Sequence, residues 1–247
     1  MSQQKIGCGA IWGGVHGADL EAETGGLVAS LFSSSADGQK GGDIYFLSCC
    51  QGDVLTKIAI ADVTGHGEVV ADISQKLYGQ LLERINSASG DSILRELNQY
   101  AVNTGFRAIT TATIASFQRL SEDLYYASAG HHPILVRREN ESDWIKIELP
   151  RVPAGGNAPL GVGQDQRFDQ CDVKLRPGDQ IFLHTDGLID VPDGHGERFG
   201  ETRLMNVLTE GDRDARQLKR QVLDAMGDFS RQPFDHDDTT FIAATIR

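Results

Sequence analysis

Basic charge is scarce in this 247-residue chain: 23 lysines and arginines stand against 35 aspartates and glutamates, leaving a formal charge of −12. That balance argues against a nucleic-acid surface, which needs clustered Lys and Arg to neutralise phosphates. Paired cysteines are missing too. Cys8, Cys49, Cys50 and Cys171 form no CxxC pair, so a zinc site is not expected and the reading is of reduced thiols in a cytoplasmic protein. The N-terminus has no basic segment followed by an apolar one, so no signal peptide is visible. No apolar run approaches the roughly 20 residues that a membrane helix needs, so no membrane partner is expected. Neither an internal repeat nor a low-complexity linker appears. One domain over residues 1–247 is the simplest expectation, with residues 1–40 rich in Gly and Ser and harder to assign outside the apolar stretch from Leu27 to Phe32.

What is present reads as a globular α+β protein, with 40% hydrophobic and 23% charged residues. DIYFLSCC and VLTKIAIADV are strand-like runs on either side of Gln51-Gly52-Asp53, a hairpin turn. Val70, Ile73, Leu77, Leu81 and Ile85 recur at helical spacing. Asn86 to Gly90 breaks the pattern, and Asp91 or Ser92 is the expected cap of a second helix carrying Ile93, Leu94, Leu97 and Ala101. Strand signals return in ITTATIASF, DLYYASAG, PILVRR and DWIKIEL. After a loop holding Pro153, Gly155, Gly156 and Pro159, FDQCDVKL and QIFLHTDGLIDV are joined by Arg176-Pro177-Gly178-Asp179. Ala215, Leu218, Val222 and Met226 mark a late helix, and TTFIAATI closes the chain as a strand. Hairpin groups interrupted by paired helices predict antiparallel sheets with helices on their outer faces, not a doubly wound fold.

Certain aspartates stand out by position. Asp43 follows Gly41-Gly42 at a strand start, and Asp62 ends IAIAD before the turn VTGHG. Asp186 ends QIFLHTD before Gly187, and Asp237 and Asp238 precede the last strand. Singly, each reads as an ordinary turn residue, because Asp favours turns. Together, at successive strand ends, they form a candidate carboxylate metal site. Close carboxylates raise one another's pKa unless cations neutralise them, and oxygen-only ligands select hard ions such as Mg2+ or Mn2+.

The segments GGDIYF (41–46), ADVTGHG (61–67), ITTATIASF (109–117), SAGHHPILV (128–136), APLGV (158–162), GDQIFLHTDGLID (178–190) and DDTTFIAATI (237–246) resemble, in order, the motif series of the PPM metal-dependent protein serine/threonine phosphatases. The nearer likeness is to the bacterial SpoIIE branch, which includes regulators of sigma factors. The resemblance runs from about residue 41 to the C-terminus and more loosely over residues 6–40. It implies an α-β-β-α sandwich of two antiparallel sheets flanked by helices. It also implies two divalent cations, Mn2+ or Mg2+, in signalling such as partner-switching control of a sigma factor. By position, Asp62 would bridge the two metals and Val63 would lend its carbonyl. Asp43 would complete the second metal's shell, while Asp186 and Asp237 would hold the first. Asp62, Asp186 and Asp237 are thus the expected catalytic set, with Asp238 as supporting neighbour.

No covalent phosphoenzyme is needed, in keeping with the lack of a Cys-x5-Arg loop around any cysteine. The eukaryotic branch carries a DGHG turn. Here His66 lies two positions further on, so it reads either as a general acid for the leaving serine oxygen or as a turn residue. Gly65 and Gly67 read as backbone accommodation beside the metals. His131 and His132 read as organisers of a turn, and His184 as a core or supporting residue. The branch points to a phosphoserine protein of the STAS-type anti-sigma-factor antagonist class as substrate. It also points to the 67–103 stretch as a switching element. With no sensor region expected in this chain, a separate protein or a homodimer is a further route of control. A small-molecule phosphoester hydrolase and a non-catalytic regulatory binding module are the alternative readings.

Overall fold

The computed structural model of the protein describes residues 4–5, 11–36, 38, 40–50, 52–65, 67–85, 89–105, 108–149, 157–231 and 236–247. Cys8, Gln51, His66, Pro153, Gly155 and Gly156 lie outside the described residues. In chain order the elements begin with β1 (Gln4–Lys5), β2 (Ile11–His16), β3 (Ala18–Glu23), β4 (Leu27–Ser34), β5 (Lys40–Cys50) and β6 (Leu55–Val63). Then come α1 (Glu68–Arg84), α2 (Gly90–Asn103), β7 (Thr110–Gln118), β8 (Asp123–Ala129), β9 (Leu135–Arg137) and β10 (Trp144–Lys146). The last are β11 (Gln170–Lys174), β12 (Gln180–His184), α3 (Asp186–Ile189), α4 (Gly200–Glu210), α5 (Ala215–Ser230) and β13 (Thr239–Ile246).

The strands form two sheets. One has seven strands in the order β1-β3-β4-β13-β12-β9-β10, and the other has six in the order β11-β8-β7-β6-β5-β2. Apart from the short parallel pairing of β1 with β3, neighbours are antiparallel, as the hairpin groups predict. Alternation decides which side chains go where. Ile58 and Ile60 of β6 meet Ile181, Leu183, Ile242 and Ala244 of the other sheet in a core between the sheets. The intervening Ala59, Ala61 and Val63 face outward, under Leu77, Leu81, Ile93, Leu94 and Leu97 of α1 and α2. On the opposite flank, Phe182, Phe241 and Ala243 pack against Leu204, Leu208, Leu218, Val222 and Met226 of α4 and α5. The result is the α-β-β-α sandwich.

Several local expectations need correction. The first forty residues hold three well-paired strands, β2 to β4. Their Gly and Ser content hid this, because Gly13 packs where a Cβ would strike Tyr45 and Tyr78. The N-cap of α2 is Ser89, not Asp91 or Ser92; its backbone is extended at φ −69° and ψ 160°, and its hydroxyl donates to Asp91 Oδ1 at 2.5 Å. The turn at Arg176–Asp179 is formed as expected, with Asp179 N donating to Arg176 O at 3.0 Å, and it carries the chain from one sheet to the other, since β11 and β12 belong to different sheets. The late helix starts as expected, capped by Asp214, which accepts from Arg216 N at 2.9 Å and Gln217 N at 3.0 Å. Among the described residues no helix is long and apolar enough to cross a membrane.

Polar anchors hold α1 and α2 to the sheet that carries Asp43 and Asp62. Ser74 Oγ donates to Gly42 O at 2.9 Å, and buried Lys57 donates to the carbonyl of Ile85 at the C-terminal end of α1. Asn98 of α2 is fully buried; its Nδ2 donates to Gly163 O at 2.8 Å and its Oδ1 accepts from Gly161 N at 2.9 Å. It thereby fastens the loop whose Leu160 exchanges backbone hydrogen bonds with Thr110. Asn98→Ala should leave two partly buried backbone groups without their side-chain partner and lower unfolding free energy by roughly 1–3 kcal/mol, measurable by urea denaturation.

Candidate active site

Register brings the singled-out aspartates to one end of the sandwich. Ile44 pairs with Ala61, so Asp43 and Asp62 are the next residues along their two strands, and both alternate onto the face between the sheets. Asp43 lies inside β5, since the strand begins at Lys40, and not at its start as expected. Asp62 is the penultimate residue of β6 and sits opposite Thr111 of β7. From the other sheet, β12 runs out at His184, and Asp186 opens the one-turn helix α3 just beyond it. Asp237 and Asp238 come immediately before β13.

Close backbone approach explains the glycines. A Cβ on Gly42 would lie 2.6 Å from the carbonyl oxygen of Val63, and one on Gly41 would lie 2.6 Å from the Asp238 carboxylate. A Cβ on Gly187 would come within 2.0 Å of the Asp238 carbonyl oxygen. After Asp62 the chain turns through Gly65 at φ 107° and Gly67 at φ 92°, a region that side chains with a Cβ avoid. Both glycines therefore serve the backbone path, as expected from the sequence.

The adjacent pair Asp237-Asp238 divides its labour. Asp238 is buried and accepts from Ala36 N at 2.9 Å and from Gly42 N. It stitches the start of β13 to β5 beside Asp43. Asp237 is half-buried, and among the described residues its Oδ1 accepts from the neighbouring Asp238 N–H at 2.8 Å. Asp43 is buried with Oδ2 accepting from Thr185 Oγ1 at 2.8 Å, while its Oδ1 is enclosed without a partner.

Electrostatics tie the group together. Burial pushes the Asp62 carboxyl up to about 7, helped by Asp186, Asp237 and Asp238. Burial, then the charge of Asp62, holds Asp43 well above the usual carboxylate range, against the hydroxyls of Thr185 and Thr240. Asp237 is raised by burial and by Asp186 and Asp238. Among the described residues no group of three or more His, Cys, Asp or Glu side chains stands close enough together to hold a metal ion as it is. The donors nevertheless fit hard cations. They are all oxygens, they repel one another, and Asp43 Oδ1 is a buried acceptor without a donor.

Histidines flank this end. His131 Nδ1 lies 2.7 Å from Thr111 Oγ1, and burial followed by the neighbouring His132 and His184 pushes its pKa down to about 3. His184 is buried, and its Nδ1 donates to the carbonyl of Thr185 at 2.9 Å. Sequence reasoning passed over Thr111 and Thr185. Isolated threonines in strands carry no signal until register reveals their neighbours.

A family model described as Stage II sporulation protein E (SpoIIE) matches residues 53–247. The chain belongs to the SpoIIE family. Its relatives include the phosphoserine phosphatase RsbU of Bacillus subtilis, 26% identical over 191 residues that cover 75% of this chain and 54% of RsbU. The chain thus spans about half the length of that relative. Among solved structures, the SiaA-PP2C domain of Pseudomonas aeruginosa superposes with TM-score 0.73 at 21% identity, covering 89% of this chain and 86% of that one. RsbX in complex with magnesium superposes with TM-score 0.69 at 19% identity, covering 93% and 100%. At such identities these two likenesses speak for the fold, and the two-sheet sandwich of the SpoIIE family member described here agrees with them.

Two outcomes follow from this site. Because burial and like charge raise the folded-state pKa of Asp62, the folded protein keeps a proton that the unfolded chain releases. The cation-free protein should therefore lose stability as pH rises from about 4 to about 7. Asp62→Asn should raise unfolding free energy in EDTA by on the order of 1–3 kcal/mol at about pH 7.5, after discount for partial exposure, and by little near pH 4. Melting curves of both proteins across pH check this. Separately, Gly187→Ala should displace the Asp237-Asp238 turn, and a crystal structure or the loss of divalent-cation stabilisation would register the shift.

Proposed function

We propose that this chain is a metal-dependent protein serine/threonine phosphatase that hydrolyses phosphoserine or phosphothreonine in bacterial partner-switching signalling. The observation that carries the reading is the buried, mutually repelling set of aspartates with Asp62 at its centre, at one end of a SpoIIE-family sandwich. Asp62, Asp186 and Asp237, together with Asp43 and the Val63 carbonyl, would hold two divalent cations, Mn2+ or Mg2+. Such cations, when bound, supply Lewis-acid activation of water and neutralisation of phosphoryl charge.

The chain's own residues then have distinct tasks. Asp62 would be the central ligand, because Asp186, Asp237 and Asp238 all act on its charge. Asp43 offers its unpartnered Oδ1 while Thr185 holds Oδ2. Asp238 has both carboxylate oxygens engaged by backbone N–H groups, which supports a bracing role for it and leaves Asp237 as the ligand of the pair. Cys49 is a poor candidate for a nucleophile. Burial and the neighbouring Asp53 carboxylate push the Cys49 thiol up to about 12, so it stays protonated at neutral pH.

The substrate reading is a phosphoserine protein of the STAS-type anti-sigma-factor antagonist class, supported by kinship with RsbU. Phosphate release from such a phosphoprotein should require Mn2+ or Mg2+ and stop in EDTA. Asp62→Ala should lower kcat/KM by on the order of 10^3-fold, the several kcal/mol expected of lost metal-assisted stabilisation, without unfolding the protein. Activity in EDTA, or full activity of Asp62→Ala, would refute the assignment. Faster turnover of small phosphoesters than of any phosphoprotein would redirect it to a small-molecule hydrolase.

A further inference from the structure

The segment between β8 and β9 crosses from the six-stranded sheet to the seven-stranded one, and two adjacent histidines in it grip opposite sheets. His131 reaches back to Thr111 of β7, with Nδ1 2.7 Å from the hydroxyl oxygen. Its backbone N–H also donates to Ser128 Oγ at 3.3 Å. The next residue, His132, turns the other way and stacks on His184 of β12 with ring centroids 4.8 Å apart. The two neighbouring rings meet edge to face at 6.0 Å. Imidazoles therefore form a continuous bridge between the sheets at the end where the aspartates gather.

Both ends of the bridge stop on threonines next to those aspartates. Thr111 is the register partner of Asp62 across the β6–β7 ladder, so the two side chains share a face as neighbours. At the other end, His184 Nδ1 donates to the Thr185 carbonyl, since a carbonyl can only accept. Thr185 Oγ1 in turn donates to Asp43 Oδ2 at 2.8 Å and accepts from Thr240 N at 2.9 Å. An apolar seal would be the simpler way to close a sandwich end. Here the His131 ring is buried, and its Nε2 meets no hydrogen bond of good geometry among the described residues, a penalty that a phenylalanine of similar shape would avoid. Imidazole at this position brings polar contacts that phenyl lacks, to the Thr111 hydroxyl and to the backbone of His184.

We propose that the His131–His132–His184 bridge sets the separation of the two sheets at this end, and that Thr111 and Thr185 are positioning residues that pass this geometry to Asp62 and Asp43 for cation binding. The inference rests on the metal-dependent phosphatase reading above. Groups that orient metal ligands without touching the metal affect affinity by about 10–100-fold when removed.

Mn2+ affinity of the resting protein, measured by calorimetry and by the Mn2+ paramagnetic resonance spectrum without substrate, tests it. Thr111→Val, which replaces the hydroxyl by a methyl, should weaken Mn2+ binding about 10-fold in a protein that still folds and melts cooperatively. Thr111→Ser should restore the affinity, and His131→Phe should weaken binding as Thr111→Val does. Wild-type Mn2+ affinity in Thr111→Val, alongside binding that Asp62→Asn abolishes, would overturn this proposal and leave the phosphatase reading standing. Wild-type Mn2+ binding that Asp62→Asn leaves unchanged would overturn both.

Discussion

Like charges crowded at one end of the sandwich are the constraint around which the rest of this molecule is arranged. A carboxylate leaving water loses solvation, and a second one nearby adds repulsion, so each is driven towards its protonated form. Asp43 and Asp62 meet both conditions. Only a rigid frame can hold groups that push one another apart. That frame comes from the cores: between the sheets, under α1 and α2, and under α4 and α5. Apolar burial over these layers supplies the stability against which local electrostatic strain at one end is tolerated.

The frame is tightest where backbones meet beside the carboxylates. Glycines at 41, 42 and 187 permit approaches that a Cβ would forbid, and Asp238 ties the start of β13 to β5 through two backbone N–H groups. Thr185 links α3, β13 and Asp43 through one hydroxyl. These contacts make the adjacent Asp237 and Asp238 unequal although the sequence writes them as a pair. One is consumed in holding strands together, and among the described residues the other takes a single neighbouring N–H.

Helices over the six-stranded sheet are joined to the same site by polar links. Ser74 reaches Gly42, Lys57 holds the C-terminal end of α1, and Asn98 fastens the loop at Gly161 and Gly163. A displacement of α1 would therefore act on the Gly42–Asp43 backbone directly. On the opposite flank, buried Arg137 donates to the carbonyls of Leu208, Gly211 and Asp212. It satisfies the C-terminal end of α4 much as Lys57 satisfies that of α1.

By itself the sequence determined the strand alternation, the spacing of α1, α2 and α5, the antiparallel α+β class and the aspartates worth watching. Those features are local: a period of two or of 3.6, or an Asp beside a Gly, can be read without knowing what lies opposite. Strands β2 and β3 escaped notice because Gly13, Gly14 and Gly17 dilute their pattern, and α3 and α4 because one is a single turn and the other begins at a glycine. Tertiary structure alone decided that Asp43 lies within a strand, that β11 and β12 part into different sheets, and that Thr111 and Thr185 stand beside the carboxylates. It also decided which of Asp237 and Asp238 ties the strands together. Each of these depends on register and on the stacking of one sheet over the other. Those relations join residues as distant as Gly42 and Asp238, and no local pattern in the chain encodes them.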